Sequence, residues 1–311
     1  MPDIDLGSLA TLAGYLSVAK QRYDACFARL PDVEVISAPA AQLEYHYLKF
    51  DPVGNPKVRD LVDSLVDHLA AYCFRAQRLP KTLDSVEWGK THRQASQLLR
   101  KWVTSGEPGE IVLFLLIEAL LGATQIIAKA ELKLNPGVEQ HGSDGVHARW
   151  IKETNSLELI LGESKLEQSP ASAAQHAAES ILKYHDKHLL RHELQLLSSH
   201  FKWADEELKR ELLSRMDPVE GSGEYTLVHA CLLGYDWPGY DNSKGPDAAQ
   251  MVEKLTKEYG DTLTRLRKNF DTHFEGLSKI PLRLVVFHLP FPSVQAFRTQ
   301  MLSAIGDTAE Q

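Results

Sequence analysis

The stretch LELILGESKL at 157–166 constrains the fold of this 311-residue chain more than any other. Side chains alternate faces along a strand, so Leu157, Leu159 and Leu161 share a face with Glu163 and Lys165. If the strand continues through the motif, it starts as packing and ends as two charges pointing the same way. Gly162 leaves room beside those charges for backbone or a ligand to approach. The triplet by itself is equally compatible with a surface ion pair where the strand reaches solvent.

The surrounding elements give that strand its neighbours. The segment 41–51 reads as a strand, and residues 58–76 carry apolar positions at spacings of three and four, a helical pattern. A second helix is expected over 91–104, closed by SGEPGE at 105–110. Residues 109–122 read as a buried helix, QIIAKAELKL (125–134) as a strand, VHARW as a short strand, and roughly 170–197 as a long helix. YTLVHACLLGYD (225–236) and LRLVVFHLPF (282–291) read as strands flanking a charged helix at 246–275. The expected class is α/β, a mixed sheet with helices around it. Two units are expected: an N-terminal α/β extension over 1–104, a candidate partner-binding layer, and a second domain over 105–311.

Composition narrows the chemistry. A formal net charge of −8 argues against a chain coated with basic residues, although a local basic channel suffices to hold a phosphate backbone. Cys26, Cys73 and Cys231 lie far apart with no CxxC pair, which excludes a cysteine zinc knuckle and suits a reducing compartment. The apolar run at 111–117 is interrupted by Glu118 and is too short to span a bilayer. The expectation is a soluble cytoplasmic protein. Neither GxGxxG nor GxxxxGK occurs.

Asp144 stands in Gly-Ser-Asp-Gly, directly before a strand that can form a hairpin with 157–165. Such a hairpin can bring Asp144 to the sheet end that carries Glu163. Two carboxylates held together repel, and a hard divalent cation relieves that repulsion by coordinating both. Mg²⁺ suits this all-oxygen setting, with Mn²⁺ as the alternative. Lys165 can stabilise developing charge on a phosphate or help deprotonate a water. Glu118 is the only charged residue between Glu110 and Lys129, on a helix otherwise apolar. Such a carboxylate should be paired, protonated or near metal; a salt bridge to Lys129 or Lys133 is its plainer explanation, and Glu131 is the weaker alternative acid.

The order of a helix with Glu118, then Asp144, then Glu163-Ser164-Lys165 and another helix resembles the core of the PD-(D/E)xK restriction-like nucleases. More specifically, ELKLNPGVEQHGSDGVHARW followed by LELILGESKLEQSPASAAQHAAESI resembles the HamA family, the nuclease subunits of Hachiman antiphage defence, most clearly over about 105–195. The resemblance implies a restriction-endonuclease-like core with a mixed central sheet flanked by helices. It also implies a metal-dependent DNase acting on DNA with a HamB-like superfamily 2 helicase partner. Carried over, Asp144, Glu163 and Lys165 match the catalytic acid and ExK positions, and Glu118 the helical acid, all three acids being metal ligands. The Asp here lies in Ser-Asp-Gly where the general motif has Pro-Asp, so that half of the motif is degenerate.

The helix after the motif offers a substrate surface. His176, Lys183 and Lys187 recur at spacings of seven and four, while Ala174, Ala177, Ala178 and Ile181 can pack inward. With Lys129 and Lys133 they are the candidate DNA contacts, touching phosphate without reading bases; an ordinary solvated helix face is the alternative. Gln175 could orient substrate or a water. Competing functions are a noncatalytic scaffold, in which the acids form internal salt bridges, and a small-molecule metal phosphoesterase with a closed pocket. His185, His188 and His192 sit at i, i+3 and i+7 on one helix, and without HExxH a zinc hydrolase is disfavoured.

Overall fold

The structure is a computed structural model that describes residues 8–81, 84–100, 107–132, 142–186, 189, 195–196, 198–203, 205–216, 225–243 and 247–310. Seven strands build one sheet: β1 (Phe27–Ser37), β2 (Ala40–Leu48), β3 (Thr124–Ile127), β4 (Gly145–Ile151), β5 (Ser156–Glu167), β6 (Tyr225–Asp236) and β7 (Arg283–Phe291). Their spatial order is β1-β2-β7-β6-β5-β4-β3. The pairs β2/β7, β7/β6 and β6/β5 are parallel, whereas β1/β2, β5/β4 and β4/β3 are antiparallel. The α/β class and the mixed central sheet are as the sequence predicts.

Helices cover the sheet: α1 (Lys20–Cys26), α2 (Val58–Asp67), α3 (Leu69–Cys73), α4 (Ser85–Arg100), α5 (Glu107–Leu116), α6 (Lys129–Leu132), α7 (Pro170–Asp186), α8 (Glu206–Met216), α9 (Gly239–Asn242), α10 (Ala248–Gly260), α11 (Leu263–Phe274) and α12 (Val294–Glu310). Strand β5 is clamped between two of them. A side chain at Gly162 would press on Leu113 of α5, and Gly109 of α5 lies against Ser164 and Leu166. The opposite face carries Leu157, Leu159 and Leu161, packed in a core with Tyr184, Leu208, Leu212 and Met216. The alternation read from the sequence therefore sorts β5 between two cores, with Ile160 and Leu166 in the other.

Several element boundaries differ from expectation. The segment 125–134 is not one strand: β3 ends at Ile127 and α6 begins at Lys129. Ala, Glu, Leu and Lys are strong helix formers, so the alternation in AKAELK is no proof of a strand. The charged helix at 246–275 is two helices, α10 and α11, and the pattern over 58–76 likewise divides into α2 and α3. The apolar helix at 109–122 is α5 followed by a π-helical turn, Ile117–Leu121, that stops at left-handed Gly122 (φ 60°). Nor is the N-terminal hundred a separate layer. Strand β2 pairs with β7 from Ala41↔Leu284 to Tyr45↔His288, so the segments on either side of 104/105 share one sheet.

Candidate functional site

The β4–β5 hairpin brings the expected residues together. Its register runs Val146↔Leu161 and Gly145↔Gly162, and the Asp144 N–H donates to the Gly162 carbonyl at 2.9 Å. Asp144 thus stands where β4 begins and β5 presents its Glu-Ser-Lys end. Its Oδ2 accepts from the Ser164 N–H at 2.7 Å and the Ser164 hydroxyl at 2.9 Å, so the middle residue of the triplet orients the acid. Lys165 Nζ donates to Glu163 Oε1 at 2.5 Å.

Electrostatics ties the three groups to one another. Glu163 is 7% exposed. Burial and then the neighbouring Asp144 charge push its carboxyl above the ordinary range, against the pull of Lys165 and a hydrogen bond with Ser180 of α7. Burial works to lower the Lys165 ammonium, but Glu163 and Asp144 prevail and hold it above its usual value. Asp144 and Glu163 are therefore near enough to repel, and Lys165 remains charged beside both.

Glu118 is engaged elsewhere. It is 1% exposed on the π-helical turn; its Oε2 accepts from the Ser17 N–H (2.6 Å) and the Val18 N–H (2.9 Å), and Oε1 from the Gln125 N–H (3.1 Å). Burial raises its carboxyl, opposed first by Lys202 and then by those donors. Among the described residues the charge acting on Glu118 is Lys202, where Lys129 was expected: a fully buried lysine whose Nζ donates to Gln125 Oε1 at 2.6 Å.

The acid that sequence reasoning passed over is Glu110 of α5. Its Oε2 accepts from the Tyr72 hydroxyl at 2.8 Å. Burial, the Glu110 charge and more remotely Asp144 hold that phenol protonated, so Glu110 and Asp144 share a neighbourhood. Both line a small cavity of about 10 Å³ with Tyr72, Phe114, Gln125 and His147. The apolar helix offered two acids, and nothing in its pattern said which faces the strand ends.

Of the expected DNA contacts, the described ones sit on α6 and α7. Lys129 Nζ donates to the Ser143 carbonyl at 2.6 Å, pinning the residue before Asp144. His176 pairs with Glu167 at 2.9 Å, and Gln175 with Glu179 at 2.9 Å. Lys183 is exposed on the same helix. Lys133, Lys187, His188 and His192 lie outside the described residues, as does the side chain of Glu131. His185 Nε2 meets His229 Nε2 of β6 at 3.1 Å, a partner from another element that the helical histidine spacing could not disclose. Among the described residues no three carboxylate, imidazole or thiol groups gather into a metal cage, and no helix is long and apolar enough to cross a membrane.

A comparison with curated proteins finds no match. The HamA family profile matches residues 26–305, a span that runs from the start of the first sheet hairpin to the C-terminal helix and takes in Glu110, Asp144, Glu163 and Lys165. With nearly its whole length inside that match, the chain belongs to the HamA family of Hachiman antiphage defence components.

Proposed function

We propose that this HamA-family chain is a divalent-metal-dependent deoxyribonuclease of the PD-(D/E)xK type that cuts DNA with little sequence preference, under the control of a HamB-like superfamily 2 helicase. The observation that carries the reading is the convergence of Asp144, Glu163 and Lys165 at one end of the β4–β5 hairpin, with Glu163 raised by burial and then by its acidic neighbour. A pair of carboxylates that disfavour each other's charge is a site that a cation stabilises.

The donor set fits Mg²⁺ or Mn²⁺. It consists of hard carboxylate oxygens, and Mg²⁺ keeps several waters and uses one or two protein carboxylates together with substrate phosphate, so a complete protein cage is not required. Asp144 and Glu163 would hold the ion, with Glu110 the third acid on the neighbouring wall. Glu118 is left out of this set because its oxygens serve three backbone N–H groups. A bound ion would supply Lewis acidity toward a phosphate oxygen. The protein's own contributions follow from the bonds above. Ser164 fixes the orientation of Asp144, and Lys165 keeps its proton and offers positive charge to a phosphate as negative charge builds. The cavity beside Asp144 has room for about one water, too little for an organic substrate, which favours a polymer phosphate presented at the strand ends over a small molecule enclosed there.

The test is plasmid degradation with Mg²⁺, with and without the candidate helicase, by the native chain and by Glu163→Gln and Lys165→Ala, alongside circular-dichroism melts. Both variants are expected to fold and to lose cleavage by at least about a hundredfold, the scale for removing one electrostatic or acid–base contributor. Native-level cleavage by either variant rejects the site.

A further inference from the structure

The cavity beside Asp144 contains an unanswered polar group. His147 of β4 is 1% exposed, and neither of its ring nitrogens has a hydrogen-bond partner among the described residues. Phe114 packs near the ring, with centroids 6.1 Å apart, and Gly145 leaves the space a Cβ would take 3.1 Å from His147 Cε1. A neutral imidazole has one N–H to donate and one nitrogen to accept, and burying both without partners is costly. Burial and the nearby Lys202 ammonium push this imidazole down to about 3, so it is neutral at physiological pH. The cavity volume of about 10 Å³ matches a single water, and Asp144 and Glu110 line it together with His147. Both bonds from Ser164 fall on Asp144 Oδ2, which leaves Oδ1 with capacity to accept another.

We propose that this cavity holds one water that joins the His147 imidazole to the Asp144 carboxylate, making His147 a positioning residue for the acid cluster. One ring N–H donates to the water, and the water donates an O–H to Asp144. Ser164 then fixes one oxygen of the acid from β5 and the water fixes the other from β4. A carboxylate held at both oxygens cannot rotate away from its ligand, and outer partners of this kind typically govern metal affinity by tenfold or more. The inference rests on reading Asp144 as a metal-holding carboxylate.

The experiment combines a high-resolution crystal structure of the full chain with calorimetric titration of Mn²⁺ into the native protein, His147→Phe, His147→Asn and Asp144→Asn. Expected are one ordered water within hydrogen-bond distance of His147 and Asp144, and Mn²⁺ affinity reduced roughly tenfold in His147→Phe, which fills the ring's space without polar atoms. His147→Asn, which keeps a donor and an acceptor, should recover most of the loss. A dry cavity in the native crystal structure overturns the proposal even where His147→Phe fails to fold. Native Mn²⁺ affinity in a folded His147→Phe overturns it while the metal reading stands, provided Asp144→Asn abolishes binding. Native affinity in Asp144→Asn removes the metal reading and this inference together.

Discussion

Glu163 and Glu118 are both buried carboxylates with raised proton affinity, yet their surroundings assign them opposite work. Glu163 faces a second acid and an ammonium; Glu118 faces three backbone donors and the buried Lys202. The first arrangement stores repulsion that a ligand can relieve, whereas the second consumes the carboxylate in binding Ser17 and Val18 to the start of β3. Glu118→Ala should therefore cost about 3 kcal/mol of stability, the scale for stripping one partner from a buried charged network. Glu118→Gln should also destabilise, because its amide turns a donor toward backbone N–H groups. Denaturant midpoints measure both; a variant with native stability and lost Mn²⁺ binding would restore Glu118 to the metal set. At this scale the sequence disclosed that Asp144 meets the strand end carrying Glu163 and Lys165, because strand alternation and one turn place them. It could not disclose that Glu110 stands on the cavity wall, since that depends on how α5 sits across Gly162.

Among elements, β5, β6 and β7 were legible nearly to the residue, each being an apolar run bounded by turn-forming residues. Strand β1 was not. FARLPDVEVIS carries Pro31 and two acids, and only the sheet edge tolerates such a strand: its register with β2 shifts between Arg29 and Val33. That hidden strand is why the first hundred residues looked separable. Strand β2 lies between β1 and β7, with Leu43, Tyr45 and Leu48 fully buried. Removing residues 1–104 strips the pairing edge of β7 and uncovers Leu284, Val286 and His288, which are at most 1% exposed in the full chain. A chain starting at residue 105 is expected to aggregate or to lack a cooperative melt, as seen by size-exclusion chromatography and calorimetry. Recovery of a monomer with a sharp transition near that of the full chain would show the strands to be dispensable.

For the whole molecule, the distribution of buried titratable groups fixes how stability follows pH. His147 on β4, His229 on β6 and His288 on β7 are each at most 2% exposed, and burial pushes all three from the ordinary 6.5 down to about 3. Each is neutral when folded and protonated when unfolded between those values, so the unfolded chain binds up to three more protons there. The stability these histidines contribute is full above pH 6.5 and falls as pH drops toward 3, because stability rises with pH wherever the unfolded state holds more protons. Glu163 and Glu118 work the other way: each raised carboxyl keeps a proton that the unfolded chain releases above about 4.5. Two carboxyls oppose three histidines, and the fully buried His46, also lowered by burial, adds to the histidine side, so the histidines prevail and leave a net slope of roughly 1–3 kcal/mol per pH unit near pH 5. Denaturant titrations from pH 7.5 to 4 should show the midpoint falling steeply below pH 6.5 and acid unfolding well before pH 3. Replacing His288 by Phe, which keeps the stacking against Tyr45 while removing a titrating group, should flatten that slope by about 1.4 kcal/mol per pH unit, the contribution of one proton. An unchanged slope in a folded His288→Phe protein would mean that this histidine finds a proton partner in the native state, and that acid lability arises from the carboxylates instead.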